Sequence, residues 1–272
     1  MLSRLYDLLT RPTEVVEVYG LLPFHGAMWP LVIVNVFFVV FAFRLGPWLM
    51  RNREPFNLKR VLMVYNVFQI IYNGIMVVLS VILLSHYVAS GGLACIRPMS
   101  MDHPAKKFEI FCALLYISNK FIDYLETLFF ILRKSYKQVT VLHVYHHIMM
   151  TTFIYMHIIL RGVGGQGSTI GMLNALVHVV MYVYYLLSSI DTELKKSLWW
   201  KKYITQLQLV QFAIDFVHQI WPLVVARDCP VSTVWQIIAV TQAVVMMWMF
   251  GNFYLKTYIR KRNDKKLTGK QS

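Results

Sequence analysis

The feature that most constrains this chain is a series of seven apolar stretches, each close to the length that crosses a bilayer. A hydrocarbon layer about 30 Å thick needs about 20 consecutive apolar residues in a helix. Stretches of that kind run over Gly26–Phe43, Val61–Val88, Phe108–Leu132, Thr140–Leu160, Ser168–Ile190, Tyr203–Ala226 and Val231–Tyr258. Lipid supplies no hydrogen-bond partner, so each spanning segment must satisfy its own backbone. The expected fold class is therefore an all-α integral membrane protein with seven transmembrane helices. Composition agrees, since only 15% of the 272 residues are charged and 57% are hydrophobic, where a soluble domain carries roughly 25% charged residues. Nothing suggests an internal repeat or an appended soluble domain, so the chain reads as one polytopic domain over residues 1–272, with a basic tail at 259–272. Residues Met1–Gly20 carry Asp7, Glu14 and Glu17 and no apolar core, so no cleaved signal peptide is expected there.

Charge gives the expected orientation. The N-terminus and the even-numbered loops hold seven Lys and Arg, while the odd-numbered loops and the C-terminus hold nineteen; Lys120 lies inside the third span. The positive-inside rule then puts the C-terminus in the cytosol and the N-terminus in a lumen. It also accounts for the net charge of +14 without a nucleic-acid partner. Cys95 and Cys229 fall in loops on the lumenal side, where an oxidising compartment permits a disulfide between them. Cys112 lies in the third span and reads as apolar filler.

Polar residues inside spans are costly and face a protein interior or a wet cavity. The second span carries Asn66, Gln69 and Asn73 on one face. The third carries Lys120, Asp123, Glu126 and Thr127, with Tyr116 a turn earlier. The fourth has His143, His146 and His147 at i, i+3, i+4, which share a helical face. The fifth has Asn174, His178, Tyr182 and Tyr185; the sixth Thr205, Gln208, Gln211, Asp215 and His218; the seventh Asn252 and Tyr254. Any one of these has a bland reading as interhelical glue. Six stripes together read as a cavity lining, polar toward the cytosolic half and greasy beyond, which suits an amphiphile with a charged head and an acyl tail.

Clustered histidines serve metal ligation, acid–base work or acyl transfer. His143 and His147 have the i, i+4 spacing of a zinc-protease helix, but no Glu follows the first His. A di-iron desaturase or hydroxylase uses several histidine boxes, and this chain has one. A seven-helix receptor shares the topology, but no DRY-like or NPxxY-like motif is present.

The motifs together resemble the very-long-chain fatty acid elongases, the 3-ketoacyl-CoA synthases of the endoplasmic reticulum. Their HxxHH box is matched by His143-Val144-Tyr145-His146-His147. Their NxxxHxxMYxYY motif is matched by Asn174, His178, Met181, Tyr182, Tyr184 and Tyr185, and TxxQxxQ by Thr205, Gln208 and Gln211. Gly46-Pro47, Asn52, Pro55-Phe56 and Tyr65-Asn66 are similar to the family's first loop, and Phe250, Asn252, Phe253 and Tyr254 to its last helix. The KxxExxDT pattern departs: it reads Lys120, Asp123, Glu126, Thr127, with the two acids exchanged.

The resemblance implies a helical bundle or barrel enclosing an acyl-CoA tunnel. It implies condensation of a long-chain acyl-CoA with malonyl-CoA, through an imidazole nucleophile and without a cofactor or catalytic metal. His146 is the expected nucleophile, with His143, His147, His178 and Asn174 supporting it. Lys120, Asp123, Glu126, Tyr182, Tyr185, Thr205, Gln208, Gln211, Asn252 and Tyr254 form the expected substrate-binding set. Within it, Lys120, Asp123 and Glu126 are expected to hold the third span against the fourth. Implied partners are the bilayer, the other enzymes of the elongation cycle (ketoacyl reductase, dehydratase, enoyl reductase) and a second copy of the chain.

Overall fold

A computed structural model describes residues 20–90, 92–191, 194, 198–226, 228–229 and 231–260. The signal-peptide reading, the tail beyond 260, and the loop charges Arg4, Arg11, Lys195, Lys196 and Arg227 lie outside the described residues. Among those described there is no β-strand.

The helices are α1 (Met28–Met50), α2 (Lys59–Ser90), α3 (Lys106–Ile122), α4 (Leu125–Leu132), α5 (Val141–Arg161), α6 (Ser168–Ile190), α7 (Leu198–Val224) and α8 (Thr233–Tyr254). Each expected span is helical, with two differences of substance. The third span is broken into α3 and α4. The first continues beyond Phe43, passing through a π-helical turn at Phe41–Leu45 into Gly46–Met50. Among the described residues, four helices are long and apolar enough to cross a membrane: α1, α2, α6 and α8, the last counted to Ile259. The α3–α4 stretch falls outside that set because the break leaves helices of 17 and 8 residues; it also holds Lys106, Lys107, Glu109, Lys120, Asp123 and Glu126. On α1, Ile33, Val36 and Phe37 are each more than half exposed, an apolar face that water would disfavour and lipid accommodates.

The chain divides into two compact units. One comprises the residues up to Leu62, Leu79–His86 and Arg97–Ser168; the other comprises Met63–Val78, Tyr87–Ile96 and the residues from Thr169 onward. In the first unit α1, α3 and α5 pack around Leu31, Ile117, Tyr155 and Ile158, all at most 1% exposed. The Tyr155 hydroxyl, buried in this core, donates to the Pro23 carbonyl at 2.6 Å. The end of α1 lies against α4 so closely that a Cβ on Gly46 would stand 2.8 Å from Ile131 Cδ1.

At the far end of the same unit, Lys106 and Glu109 form a buried pair, Nζ to Oε2 2.6 Å. Glu109 also accepts from the Met99 amide at 3.3 Å, and Lys106 donates to the Val163 carbonyl at 3.3 Å. Lys106 was expected to be a loop charge; its place in the first turn of α3, beside Glu109, explains its burial. Gly164 passes the Glu109 carboxylate at φ +92, a conformation and a clearance that only glycine supplies.

In the second unit the Cys95 and Cys229 sulfurs are bonded, with Cα atoms 5.7 Å apart. His218 of α7 contacts both Thr169 Oγ1 and the Leu93 carbonyl at 3.0 Å. It thereby fastens α7 to the start of α6 and to the segment that leads into Cys95. Cys112 is free and half-buried in α3.

Candidate functional site

The site in the first unit begins with the start of α5. Thr140 caps the helix, its Oγ1 accepting from the His143 amide at 3.1 Å, so an orphan donor of the first turn is satisfied. The histidines therefore sit in the first two turns, on a helix whose frame is fixed at its N-terminus. His147 is 6% exposed, while His143 and His146 are half-buried. The rings of His143 and His147 lie 4.4 Å apart, and those of His146 and His147 5.7 Å apart.

Facing them is the break between α3 and α4. Tyr124 N bonds to Phe121 O at 3.2 Å, Glu126 N to Asp123 O at 3.1 Å and Thr127 N to Tyr124 O at 3.2 Å. These i→i+3 bonds are of the 3₁₀ kind, which wind tighter than the α-helix and in mid-helix often mark a functional position. Just before the turn, Lys120 Nζ pairs with Asp123 Oδ2 at 2.8 Å, both side chains 2% exposed. Lys120 Nζ also lies 5.2 Å from the centre of the Tyr116 ring. Just after the turn, two side chains reach α5. Thr127 Oγ1 lies 2.9 Å from His143 Nε2, and Glu126 Oε2 lies 3.4 Å from His147 Nε2.

Tyr124, within the turn, joins three helices. Its hydroxyl is 2.6 Å from both Asn35 Oδ1 of α1 and Thr151 Oγ1 of α5, and Asn35 Nδ2 donates to Thr152 Oγ1 at 2.9 Å. The Tyr124 ring stacks on Phe38 at 4.1 Å and meets His147 edge-on at 6.2 Å. Asn35, Tyr124, Thr151 and Thr152 are absent from the sequence-derived set. The signal for Asn35 was present: it is the one amide in the apolar run from Leu31 to Val40.

Of Lys120, Asp123 and Glu126, expected as a network holding the third span against the fourth, Glu126 makes a contact across to it. Lys120 and Asp123 pair with each other along the helix, while Glu126 contacts His147 of α5.

Glu126, His143 and His147 offer one donor atom each, all within 4.8 Å of one another. Two imidazoles and a carboxylate match the facial triad of mononuclear iron enzymes by donor type.

The second unit carries the remaining expected residues. Asn174, His178 and Tyr182 of α6 are buried at 2%, 6% and 0%, whereas Tyr185 is 39% exposed. The His178 ring lies 5.7 Å from that of Tyr182, which meets Tyr65 edge-on at 6.0 Å. From Tyr65 the contacts continue along α2: Gln69 Nε2 donates to Tyr65 Oη at 2.9 Å and Asn73 Nδ2 to Gln69 Oε1 at 3.0 Å. On α7, Thr205 and Gln211 are buried and Gln208 is half-buried. Thr205 Oγ1 donates to the Lys201 carbonyl at 3.0 Å, and Gln211 Nε2 to Asp215 Oδ2 at 3.3 Å. Tyr254 of α8 accepts from Gln206 of α7 at 3.0 Å, and Asn252 is half-buried. The expected site residues thus fall into two groups: the HxxHH box with the α3–α4 acids, and the α6–α7–α8 set.

Comparison with known proteins places these residues in context. Residues 23–266 match the GNS1/SUR4 family, ELO. Over 223 residues, 82% of this chain and 86% of the relative, the chain is 42% identical to very long chain fatty acid elongase F of Drosophila melanogaster. It is 32% identical over 250 residues, 91% of the chain and 74% of the relative, to elongase 7 of the same fly. It is 34% identical over 246 residues, 89% of the chain and 76% of the relative, to very long chain fatty acid elongase 4 of Homo sapiens.

Proposed function

The chain belongs to the ELO (GNS1/SUR4) family, and from that premise we propose that it is a very-long-chain 3-oxoacyl-CoA synthase, an acyltransferase of fatty acid elongation. An imidazole nitrogen of His146 attacks the thioester carbonyl of a long-chain acyl-CoA. The C–S bond breaks and CoA leaves as the thiolate, giving an acyl-imidazole. Malonyl-CoA then loses carbon dioxide, and its enolate carbon attacks the acyl carbonyl. The C–N bond breaks, His146 is regenerated, and a 3-ketoacyl-CoA two carbons longer is released. His143 and His147 orient the nucleophile, move protons and stabilise the developing oxyanion or enolate; the resemblance implies supporting roles for His178 and Asn174.

The supporting observation is the crowding of His143, His146 and His147 on one face of a capped helix beside a carboxylate and a hydroxyl. That neighbourhood suits an imidazole that must be oriented and must exchange protons. Gln208, Gln211, Tyr182 and Tyr185 are assigned to the thioester and pantetheine arm, with Thr205, Asn252 and Tyr254 alongside. Cytosolic Lys and Arg meet the CoA phosphates. The reading includes seven spans around an acyl tunnel, a lumenal N-terminus and a cytosolic C-terminus, in the endoplasmic reticulum membrane. It needs no cofactor, and its partners are the other elongation-cycle enzymes and a second copy of the chain.

The test is direct. Membranes containing the protein are incubated with a long-chain acyl-CoA, and the peptide bearing His146 is examined by mass spectrometry for an acyl adduct. Full elongation by His146→Ala would refute the assignment.

One observation favours a rival. The donor set Glu126, His143 and His147 fits an oxygenase that uses the histidine box as metal ligands, as in a desaturase or hydroxylase. Against it, His143 Nε2 is engaged by Thr127, so ligation through that nitrogen would break this contact; the 3.4 Å between His147 Nε2 and Glu126 Oε2 is compatible with a shared ion. Metal analysis of the purified protein separates the two readings.

A further inference from the structure

We propose that Thr127 and Glu126 are positioning residues that set the ring orientations of His143 and His147, an inference that rests on the acyl-imidazole reading above. The second side-chain torsion of histidine is broad and roughly two-fold, so the helix alone does not fix which ring nitrogen faces a substrate. That choice is made by the partner of the other nitrogen. Here both partners come from one place. The 3₁₀ turn at Asp123–Tyr124 ends α3, and the first residues of α4 bring Thr127 Oγ1 to 2.9 Å from His143 Nε2 and Glu126 Oε2 to 3.4 Å from His147 Nε2. The two imidazoles so held are 4.4 Å apart, and the ring of His146 lies 5.7 Å from that of His147. An error in either ring therefore propagates to the nucleophile.

The exchanged acids gain a physical meaning. At position 123 either acid can pair with the lysine three residues earlier: Asp123 does so with Lys120 at 2.8 Å, and Glu109 does so with Lys106 at 2.6 Å. Glu126 is long enough to approach His147. An Asp at 126 would be shorter by one C–C bond, about 1.5 Å, and would withdraw from the ring on an unchanged backbone. The length requirement thus falls on position 126, where the longer acid reaches His147.

The experiment measures single-turnover acylation of His146 in the full-length, detergent-purified protein mixed with a long-chain acyl-CoA and quenched over time. Rate and amplitude are read separately, because a merely structural residue lowers the amplitude while a positioning residue lowers the rate. Outer partners of metal-bound histidines typically contribute about 10–100-fold, and the same order is taken for these imidazoles. T127V and E126Q are each expected to slow acylation by about that factor at wild-type amplitude, and T127S to recover to within about threefold of wild type. The double exchange D123E/E126D is expected to behave like E126Q. Wild-type rates in T127V and E126Q overturn the inference, as does a loss confined to amplitude. A wild-type protein that forms no adduct takes down the acyl-imidazole reading as well. An adduct in the wild type with unaltered variants takes down the positioning role alone.

Discussion

Breaking the Lys120–Asp123 pair is expected to destabilise the protein more than removing it entirely. Lys120→Met keeps the length of the stem and deletes the cation. Both partners are 2% exposed and 2.8 Å apart, so Asp123 is left as a buried carboxylate without its counter-charge. Breaking one side of a buried pair typically costs about 3–5 kcal/mol, whereas replacing both partners with apolar residues is often close to neutral. At about 2–4 °C per kcal/mol for a chain of this size, K120M should lower the apparent melting temperature by roughly 6–20 °C. K120M/D123L should recover at least half of that loss. The assay heats detergent-solubilised protein in steps and quantifies the monodisperse fraction by size-exclusion chromatography. If the double variant loses as much as the sum of K120M and D123L, the two residues act independently and the reasoning fails.

Gly164→Ala places a methyl group into the Glu109 carboxylate at φ +92; it should destabilise by about 2–4 kcal/mol through backbone strain and loss of the Lys106–Glu109 clasp, read in the same thermal assay. Cys95→Ser removes the bond to Cys229 and should lower stability by roughly 2–4 kcal/mol, while the wild type alone should change gel mobility on reduction. Dialysis against a strong chelator should leave elongation unaltered, and elemental analysis should find well under one metal per chain. Activity lost on chelation and restored by iron would instead assign Glu126, His143 and His147 as ligands.

What could be read from the sequence follows from what a linear pattern encodes. Run length and charge alternation report where helices lie, because a bilayer tests each segment separately. The pairing of Cys95 with Cys229, seen in the bonded sulfurs, was legible because the expected topology puts both loops on one side. The break at Asp123–Tyr124 was not legible, since neither Gly nor Pro marks it and both residues are ordinary in helices. The turn is accompanied by a local pair, Lys120 with Asp123, and by a tertiary contact, Tyr124 stacked on Phe38. Thr127 was visible as a polar residue on the right face, but its contact with His143 depends on the turn. Tyr185 shares the stripe of Asn174, His178 and Tyr182 yet is 39% exposed, because a helical stripe encodes direction and not depth.

The turn also predicts a coupling between stability and rate that a helix without a break would lack. Lys120 lies just before it, Asp123 within it, and Glu126 and Thr127 just after, so the buried pair and the two histidine contacts share one backbone feature. Lys106 and Glu109 form a comparable buried pair, 2.6 Å apart, but seventeen residues separate Glu109 from Glu126, or roughly 25 Å of helix. Glu109→Gln and K120M should therefore both lower the melting temperature and diverge in kinetics. Per folded molecule, E109Q should acylate His146 at the wild-type rate. K120M should be slowed about 10-fold or more, because a loosened turn lets Thr127 and Glu126 drift from rings they must hold. Equal rates in the two variants would show that the pair steadies α3 without steering the histidines. The coupling would then be absent, even with Thr127 and Glu126 retained as positioning residues.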